Sequence, residues 1–423
     1  MNRNIPPKFG DIQMPVVPQY VTTTLPNGIP MYVLRGGSQP VVKVDLLFRA
    51  GLRRSRLPLV GRATSVLMAE GTVNHTSKEL AQMIDFYGAY TWSNVVANYS
   101  TISAMCLSRD VKPVFSLMEE MIKYPTFPKS EVDLYAAQEL QKFDVSILKT
   151  STQASRNLLK LLYVEGDKSA RVANREDYMA LTPEVIKEFH SLAYNPTGAQ
   201  IFVCGQPSEA DLKAISDAFG VNWEGGEPWK SESPVFNDKP SSVFIDHEGE
   251  QTSLRMARRL FNRMHPDFLP LQVANVALGG YFGSRLMQIL REDLGLTYGV
   301  SSYISAGKQF GIHGIASEIK AGSHNQVIDV IKNEMGRLST ELIPDKELEN
   351  IRGYMLGDLL RYFESVTASA DTLFSLLVDE VPVSRFEEFY NVVRNITPEE
   401  IRDAAARWFN PDEYCISCVG RMS

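Results

Sequence analysis

An antiparallel-rich sheet with helices packed on one face, built twice in tandem, is the α+β fold that this sequence predicts. Three observations predict it. First, the chain repeats itself: residues 181–205 read LTPEVIKEFHSLAYNPTGAQIFVCG and residues 396–420 read ITPEEIRDAAARWFNPDEYCISCVG. Aligned without a gap, Thr182/Thr397, Pro183/Pro398, Glu184/Glu399, Ile186/Ile401, Asn195/Asn410, Pro196/Pro411, Ile201/Ile416 and Gly205/Gly420 coincide. Second, further pairs keep nearly the same offset: FPKSEVDLYAAQELQKF (127–143) with IPDKELENIRGYMLGDLLRYF (343–363), and LLFRAGLRRSRLPLVGRA (46–63) with RRLFNRMHPDFLPLQVANVA (258–277). A period of roughly two hundred residues is too long for a solenoid and marks a duplicated domain. Third, strand-like and helix-like apolar patterns are interspersed in an order that suits an α+β layer design.

The elements follow in order. TTTLPNGIPMYVLRG reads as two strands around a Pro-Asn-Gly turn, a strong hairpin signal. PVVKVDLLFRAG (40–51) alternates and then runs apolar, as a largely buried strand would. A helix through 60–70 comes next, then one from Thr76–Ser77 to Tyr87 that stops at Gly88. NVVANYSTISAMCLS (94–108) reads as a strand pair, and VKPVFSLMEEMIKYP and SEVDLYAAQELQKFDVSILK as helices with apolar positions three and four apart. Each repeated segment is a Thr N-cap, Pro at the first helical position, an amphipathic helix, an Asn-Pro stop and an apolar strand. Between the halves, GVNWEGGEPWKSESPVFNDKPSS (220–242) is dense in Gly, Pro, Ser and charge. It divides the chain into domains 1–222 and 241–423, with 223–240 as linker. SSVFIDHEGEQTSLRMARRL then opens the second domain with a new strand pair.

Composition excludes several classes. The 423 residues carry a net charge of −7, which gives no reason to expect nucleic acid or an anionic membrane as partner. No apolar run approaches a membrane span. The start, MNRNIPPKFGDIQMP, lacks the basic-then-apolar pattern of a signal peptide, which predicts the cytoplasm; the periplasm stays open if a leader has been trimmed. Four cysteines, Cys106, Cys204, Cys415 and Cys418, are too few for a disulfide framework. Cys415 and Cys418 form a C-x-x-C but lie in the apolar strand YCISCV, where residues three apart point to opposite faces. A structural role is expected for both.

At SSVFIDHEGEQTSLRMARRLF, followed by LPLQVANVALGGYFGSRLMQILREDLGLTYGVSS, the chain resembles the pitrilysin-like M16 peptidases, which include the mitochondrial processing peptidase subunits and the core proteins of respiratory complex III. TLPNGIPMYVL, VVKVDLLFRAG and EGT-x₄-SKELAQMIDFYGA resemble the family's first domain. The resemblance covers nearly the whole chain. It implies two homologous domains of the LuxS/processing-peptidase-like metallohydrolase fold. It also implies two such chains, or two halves of a longer one, closing as a clamshell over an unfolded peptide.

Active members carry H-x-x-E-H on the first helix of domain one, with two imidazoles on zinc and a Glu as base. Counted back from Glu70-Gly71-Thr72, those positions here are Arg62, Ser65 and Val66. The histidines, His75, His190, His247, His265, His313 and His324, include no pair at helical spacing. Glu139 falls near the family's third, carboxylate ligand and reads here as a solvated helix residue. The sequence therefore predicts no metal in this chain, with zinc expected in a partner subunit.

What the resemblance retains is an Arg seven residues before a Tyr, here Arg291 and Tyr298 in LREDLGLTY. A helix through Ser284–Asp293 that stops at Gly295 and a strand that begins at Tyr298 put both side chains at one junction. A guanidinium and a phenol there can donate to a peptide carbonyl or to a tetrahedral oxyanion. Arg285 is expected to secure the loop after Gly279-Gly280, and Val41–Phe48 to offer a strand edge to a peptide. The leading reading is a non-catalytic subunit of a heterodimeric zinc peptidase. It would form half of a peptide chamber and lend Arg291 and Tyr298 in trans to a homologous partner bearing H-x-x-E-H. The alternatives are a structural scaffold, as the complex III core proteins are, and a homodimeric peptide-binding module.

Overall fold

A computed structural model describes residues 10–422. They form two compact units, one of residues 19–248 with 415–420, the other of 10–18, 249–414 and 421–422. The first half of the chain runs β1 (Val21–Thr24), β2 (Pro30–Arg35), β3 (Val41–Phe48), α1 (Val60–Leu67), α2 (Ser77–Phe86), β4 (Tyr90–Val95) and β5 (Ser100–Leu107). It continues through α3 (Val111–Lys123), α4 (Lys129–Ser146), α5 (Thr150–Leu162), α6 (Arg175–Met179), α7 (Pro183–Ala193), β6 (Gln200–Gly205) and α8 (Glu209–Gly220). The second half runs β7 (Ser242–Asp246), β8 (Gln251–Leu260), α9 (Phe268–Asn275), β9 (Thr297–Ala306), β10 (Gly311–Lys320), α10 (His324–Thr340) and α11 (Asp345–Arg361). It ends with α12 (Val366–Val378), α13 (Arg385–Asn395), α14 (Pro398–Trp408) and β11 (Cys415–Gly420). None of the described helices is long and apolar enough to cross a membrane.

The duplication is visible in strand order. The first sheet reads β1-β2-β6-β3-β5-β4 and the second β7-β11-β8-β10-β9. Without β1, the two orders correspond strand for strand. Each contains one parallel pair among antiparallel ones: β2 with β6, Arg35 opposite Gly205, and β7 with β11, Asp246 opposite Gly420. The fold is thus α+β with mixed sheets. The expected strand pair β7 and β8 is not a hairpin, because β11 lies between them as β6 lies between β2 and β3.

Sequence chemistry explains the matching elements. Thr182 and Thr397 cap α7 and α14 by accepting from the amides of Val185 and Glu400, each helix with Pro in its first turn. Asn195 and Asn410 each accept from the amide two residues on, at 3.1 and 3.2 Å. That local turn ends the helix segment and starts the strand. Gly205 and Gly420 close their strands at φ +111° and +145°, a conformation that an L side chain resists. A Cβ on Gly205 would stand 2.0 Å from the Val41 carbonyl oxygen.

Two expectations are corrected. β3 does not offer an open edge: β6 covers one side and β5 the other. Its residues from Val42 to Phe48 are all buried, the Lys43–Asp45 ion pair on one face included, and a strand buried on both faces belongs in the middle of a sheet. The outermost strands are β1 and β4 in the first sheet and β7 and β9 in the second. The strand pair placed at 94–108 begins earlier, at Tyr90, because Tyr90–Val95 already alternates exposed and half-buried. Segment 235–237, within the Gly/Pro-rich stretch, is tied to the end of α5: Val164 N donates to Val235 O (3.0 Å) and Asn237 N to Leu162 O (2.9 Å).

One buried polar network seats β9. His313 of β10 is fully buried, with Nδ1 2.6 Å from Tyr414 Oη and Nε2 2.8 Å from Ser302 Oγ and 3.0 Å from Asn275 Oδ1. Ser302 Oγ donates to Asn275 Oδ1 (2.6 Å), so a neutral ring that accepts from Tyr414 and donates on its other side satisfies every member. Burial, reinforced by the Arg258 guanidinium, pushes the His313 pKa from 6.5 down to about 3.

Two predictions follow from this packing. Replacing Gly205 with Ala is expected to lower stability by at least ~2 kcal/mol, from backbone strain and the carbonyl contact, read as a lower urea midpoint; an unchanged midpoint refutes the argument. For His313, the unfolded chain takes up a proton between pH 6.5 and about 3 that the folded chain does not. Stability is therefore expected to fall as pH drops through that window, by up to about 1.4 kcal/mol per pH unit. His313→Gln is expected to remove this share of the slope. Denaturation midpoints across the window check it, and equal slopes for the two proteins count against it.

Candidate functional site

The site is built at the junction between α9 and β9. After α9 the chain passes through a short π-helical segment, Val276–Gly280, and breaks at Gly279 (φ −162°, ψ 16°). There the backbone approaches β9 so closely that a Cβ on Gly279 would lie 2.8 Å from the Ser302 Cβ. Asn275 Nδ2 donates to the Ser302 carbonyl at 3.1 Å and locks the approach. Tyr281 then packs against Tyr354 of α11, the rings tilted by 31° at 4.9 Å, and its ring passes over Gly283, where a Cβ would meet it at 2.8 Å. Next in sequence, Phe282 is 67 % exposed.

Arg285 has the structural role expected of it. Its Nε and Nη2 donate to the two carboxylate oxygens of Glu347 on α11, at 2.8 and 3.1 Å, and Nη1 lies 3.8 Å from the buried Glu334 of α10. A planar fork on a carboxylate fixes angle as well as distance. From this point the helix widens over Met287–Asp293 into π geometry, with Leu294 N donating five residues back to Ile289 O (3.0 Å). Such widenings recur at functional sites. Gly295, at φ +62°, turns the chain into β9.

Arg291 and Tyr298 are brought together. The Arg291 guanidinium carbon lies 4.8 Å from the centre of the Tyr298 ring and 4.7 Å from that of Phe282. Its Nε pairs with Glu292 at 3.2 Å. Tyr298 is 82 % exposed although it is in phase with the buried Val300 and Ser302 of the same strand. A bulge explains this. Val300 pairs with Ser317 and Thr297 with Ile319, so Tyr298 and Gly299 together oppose Glu318 alone. The extra residue re-aims the side chain, and Thr297 Oγ1 stabilises the kink by donating to the Glu318 carbonyl (2.6 Å). The result is an aromatic-flanked guanidinium beside a solvent-facing phenol on an outermost strand, a set of hydrogen-bond donors suited to a carbonyl or an oxyanion.

The degenerate motif on α1 looks quite different. Arg62 and Val66 lie one turn apart and are exposed, whereas Ser65 is buried. The Ser65 hydroxyl lies 3.3 Å from that of Ser100, which accepts from Tyr194 Oη at 3.1 Å. Burial pushes the Tyr194 phenol up to about 12, so the cluster is one of neutral hydroxyls. Glu139 is half-buried rather than fully solvated, paired with Lys142 at 2.5 Å. It acts with Arg62 on the same phenol: burial pushes Tyr135 up to about 12, Glu139 adds to that and Arg62 opposes it. A guanidinium, an alkyl group and a buried hydroxyl do not fit a zinc ion. Among the described residues no group of three or more His, Cys, Asp or Glu is placed to hold a metal.

Cys415 and Cys418 are both buried in β11 and unlinked. Burial raises both thiols, Cys418 to about 12, which leaves them unreactive. Sequence reasoning missed Phe282, the β9 bulge and the π widening. The one available signal was an aromatic residue set between glycines in GGYFG.

Residues 180–355 match the family model described as the peptidase M16 inactive domain. The uncharacterized zinc protease YmxG of Bacillus subtilis is 24% identical over 353 residues, 83% of this chain and 85% of that protein. A crystal structure of a peptidase M16 inactive domain from Pseudomonas fluorescens superposes with a TM-score of 0.87 at 25% identity, covering 96% of this chain and 98% of that one. A protease from Helicobacter pylori shares the fold at a TM-score of 0.83 and 15% identity, over 96% of this chain and 100% of that one. Over residues 180–355 the chain is thus similar to the inactive domain of the M16 peptidases, and its fold is that of the M16 structures it superposes on.

Proposed function

We propose that this chain is the non-catalytic member of a two-chain M16 peptidase. It forms half of a peptide chamber and lends Arg291 and Tyr298 to a homologous partner that bears H-x-x-E-H and the zinc. The observation that carries the reading is a contrast: the metal positions on α1 are chemically unfit, while the donor pair is assembled, with its phenol solvent-facing and its guanidinium partly exposed. A scaffold has no use for such a pair. The guanidinium and the phenol donate to the carbonyl oxygen of a bound peptide, and more strongly as that oxygen gains charge. The outer sides of β4 and β9, unpaired among the described residues, support peptide binding by strand addition, which reads backbone and so tolerates varied sequences.

The test is affinity purification of the tagged chain from its native lysate, with the co-purifying protein identified and zinc counted. The expected result is a stoichiometric partner with H-x-x-E-H and about one zinc per pair. In that pair Arg291→Ala is expected to lower kcat by about 10²–10³-fold, with zinc and pairing retained. Tyr298→Phe, which removes only the hydroxyl, is expected to lower kcat in the same direction. A metal-free homodimer without a partner overturns the reading in favour of the scaffold or the peptide-binding module.

A further inference from the structure

We propose that Phe282 is a positioning residue for Arg291, holding the guanidinium in the orientation from which it donates. This inference rests on the reading above, in which Arg291 acts on a bound peptide. Three observations carry it.

The first is what else holds Arg291. Its one ion pair among the described residues, to Glu292 at 3.2 Å, is with a half-exposed neighbour on the same helix, and such pairs restrain little. Its Nη nitrogens make no hydrogen bond among the described residues. The two rings at 4.7 and 4.8 Å are therefore its main restraint, and Phe282 supplies one of them. A cation lodged against aromatic rings keeps its N–H edge available to an acceptor.

The second is exposure. Phe282 is 67 % exposed and contributes little to the core, so burial does not account for a large apolar residue there. The third is the care with which its backbone is placed. Tyr281 before it is packed against Tyr354, and Gly283 after it leaves room for the Tyr281 ring. Arg285 is forked onto Glu347, and Gly279 is pressed against Ser302. These contacts fix the loop on both sides of a side chain that itself faces solvent.

The test compares Phe282→Ala, Phe282→Leu and Phe282→Tyr in the purified two-chain peptidase, with a quenched-fluorescence peptide as substrate. Phe282→Ala and Phe282→Leu are expected to lower kcat about five- to ten-fold with KM nearly unchanged, while Phe282→Tyr, which restores a ring, keeps kcat. A residue needed only to shape the loop would be served by Leu as well as by Tyr. If Arg291→Ala cripples turnover and Phe282→Ala does not, this inference fails and the donor reading stands. If neither substitution matters, the donor reading fails. A second measurement needs no partner: the Arg291 Nε–H resonance of the ¹⁵N-arginine-labelled chain, assigned by its loss in Arg291→Lys. Ring-current shielding is expected to place it upfield, with a downfield move in Phe282→Ala and Phe282→Leu but not in Phe282→Tyr. A resonance unmoved by Phe282→Ala overturns the proposal.

Discussion

The close approach of the Gly279 backbone to Ser302 is the contact on which the rest of the site depends. A side chain at 279 would collide with β9 at 2.8 Å, so only glycine lets the end of α9 reach the strand. Once there, the amide of Asn275 donates to the Ser302 carbonyl while the Ser302 hydroxyl donates back to Asn275. The buried His313 completes the set from β10. With helix and strand seated, the path from Gly280 to Thr297 is held at both ends and pinned midway by Arg285 on Glu347. Arg291 and Tyr298 then meet because their supports leave them little choice, which is how preorganised sites are built.

The two halves show which features a duplication preserves and which it releases. Positions that answer to backbone geometry keep their residue types: Gly205 and Gly420 at positive φ, Thr182 and Thr397 as caps, Asn195 and Asn410 as turn acceptors. Positions that answer to chemistry do not. On α1, Ser65, at the position where the resemblance to the M16 peptidases would put a catalytic carboxylate, is sealed among hydroxyls with Ser100 and Tyr194. A carboxylate placed there would have to lose its hydration inside that cluster. Arg62 adds a fixed positive charge on the same helix, and its field and that of Glu139 both reach the Tyr135 phenol. Zinc binding would thus require coordinated changes at several positions.

Much of this was legible from sequence because periodicity, caps and the internal repeat are local signals. The hairpin at Pro26-Asn27-Gly28, the capped helix beginning at Ser77 and the repeated helix–strand unit all form where their residues predict. The pairing of Arg291 with Tyr298 followed from a helix, a glycine stop and a strand in succession. What escaped was non-local. That β3 is covered on both sides depends on β6, more than 150 residues away in sequence, which no window around residues 41–48 contains. The bulge that turns Tyr298 outward is set by Glu318 on the next strand. Phe282 acquires a partner only when the widened helix swings Arg291 under it.

The chemistry of the assembled residues also limits what the site can do. A guanidinium keeps its proton at any physiological pH, and a phenol is a donor far more readily than a base. Neither removes a proton from water, and Arg62, Ser65 and Val66 on α1 are not ligands for an ion that would activate one. What such a pair does well is hold a developing negative charge, a service that acquires value only where another group creates the charge. On the proposed reading, a solvent-facing phenol on an outermost strand, beside a partly exposed guanidinium, belongs to a surface that is completed by something bound to it.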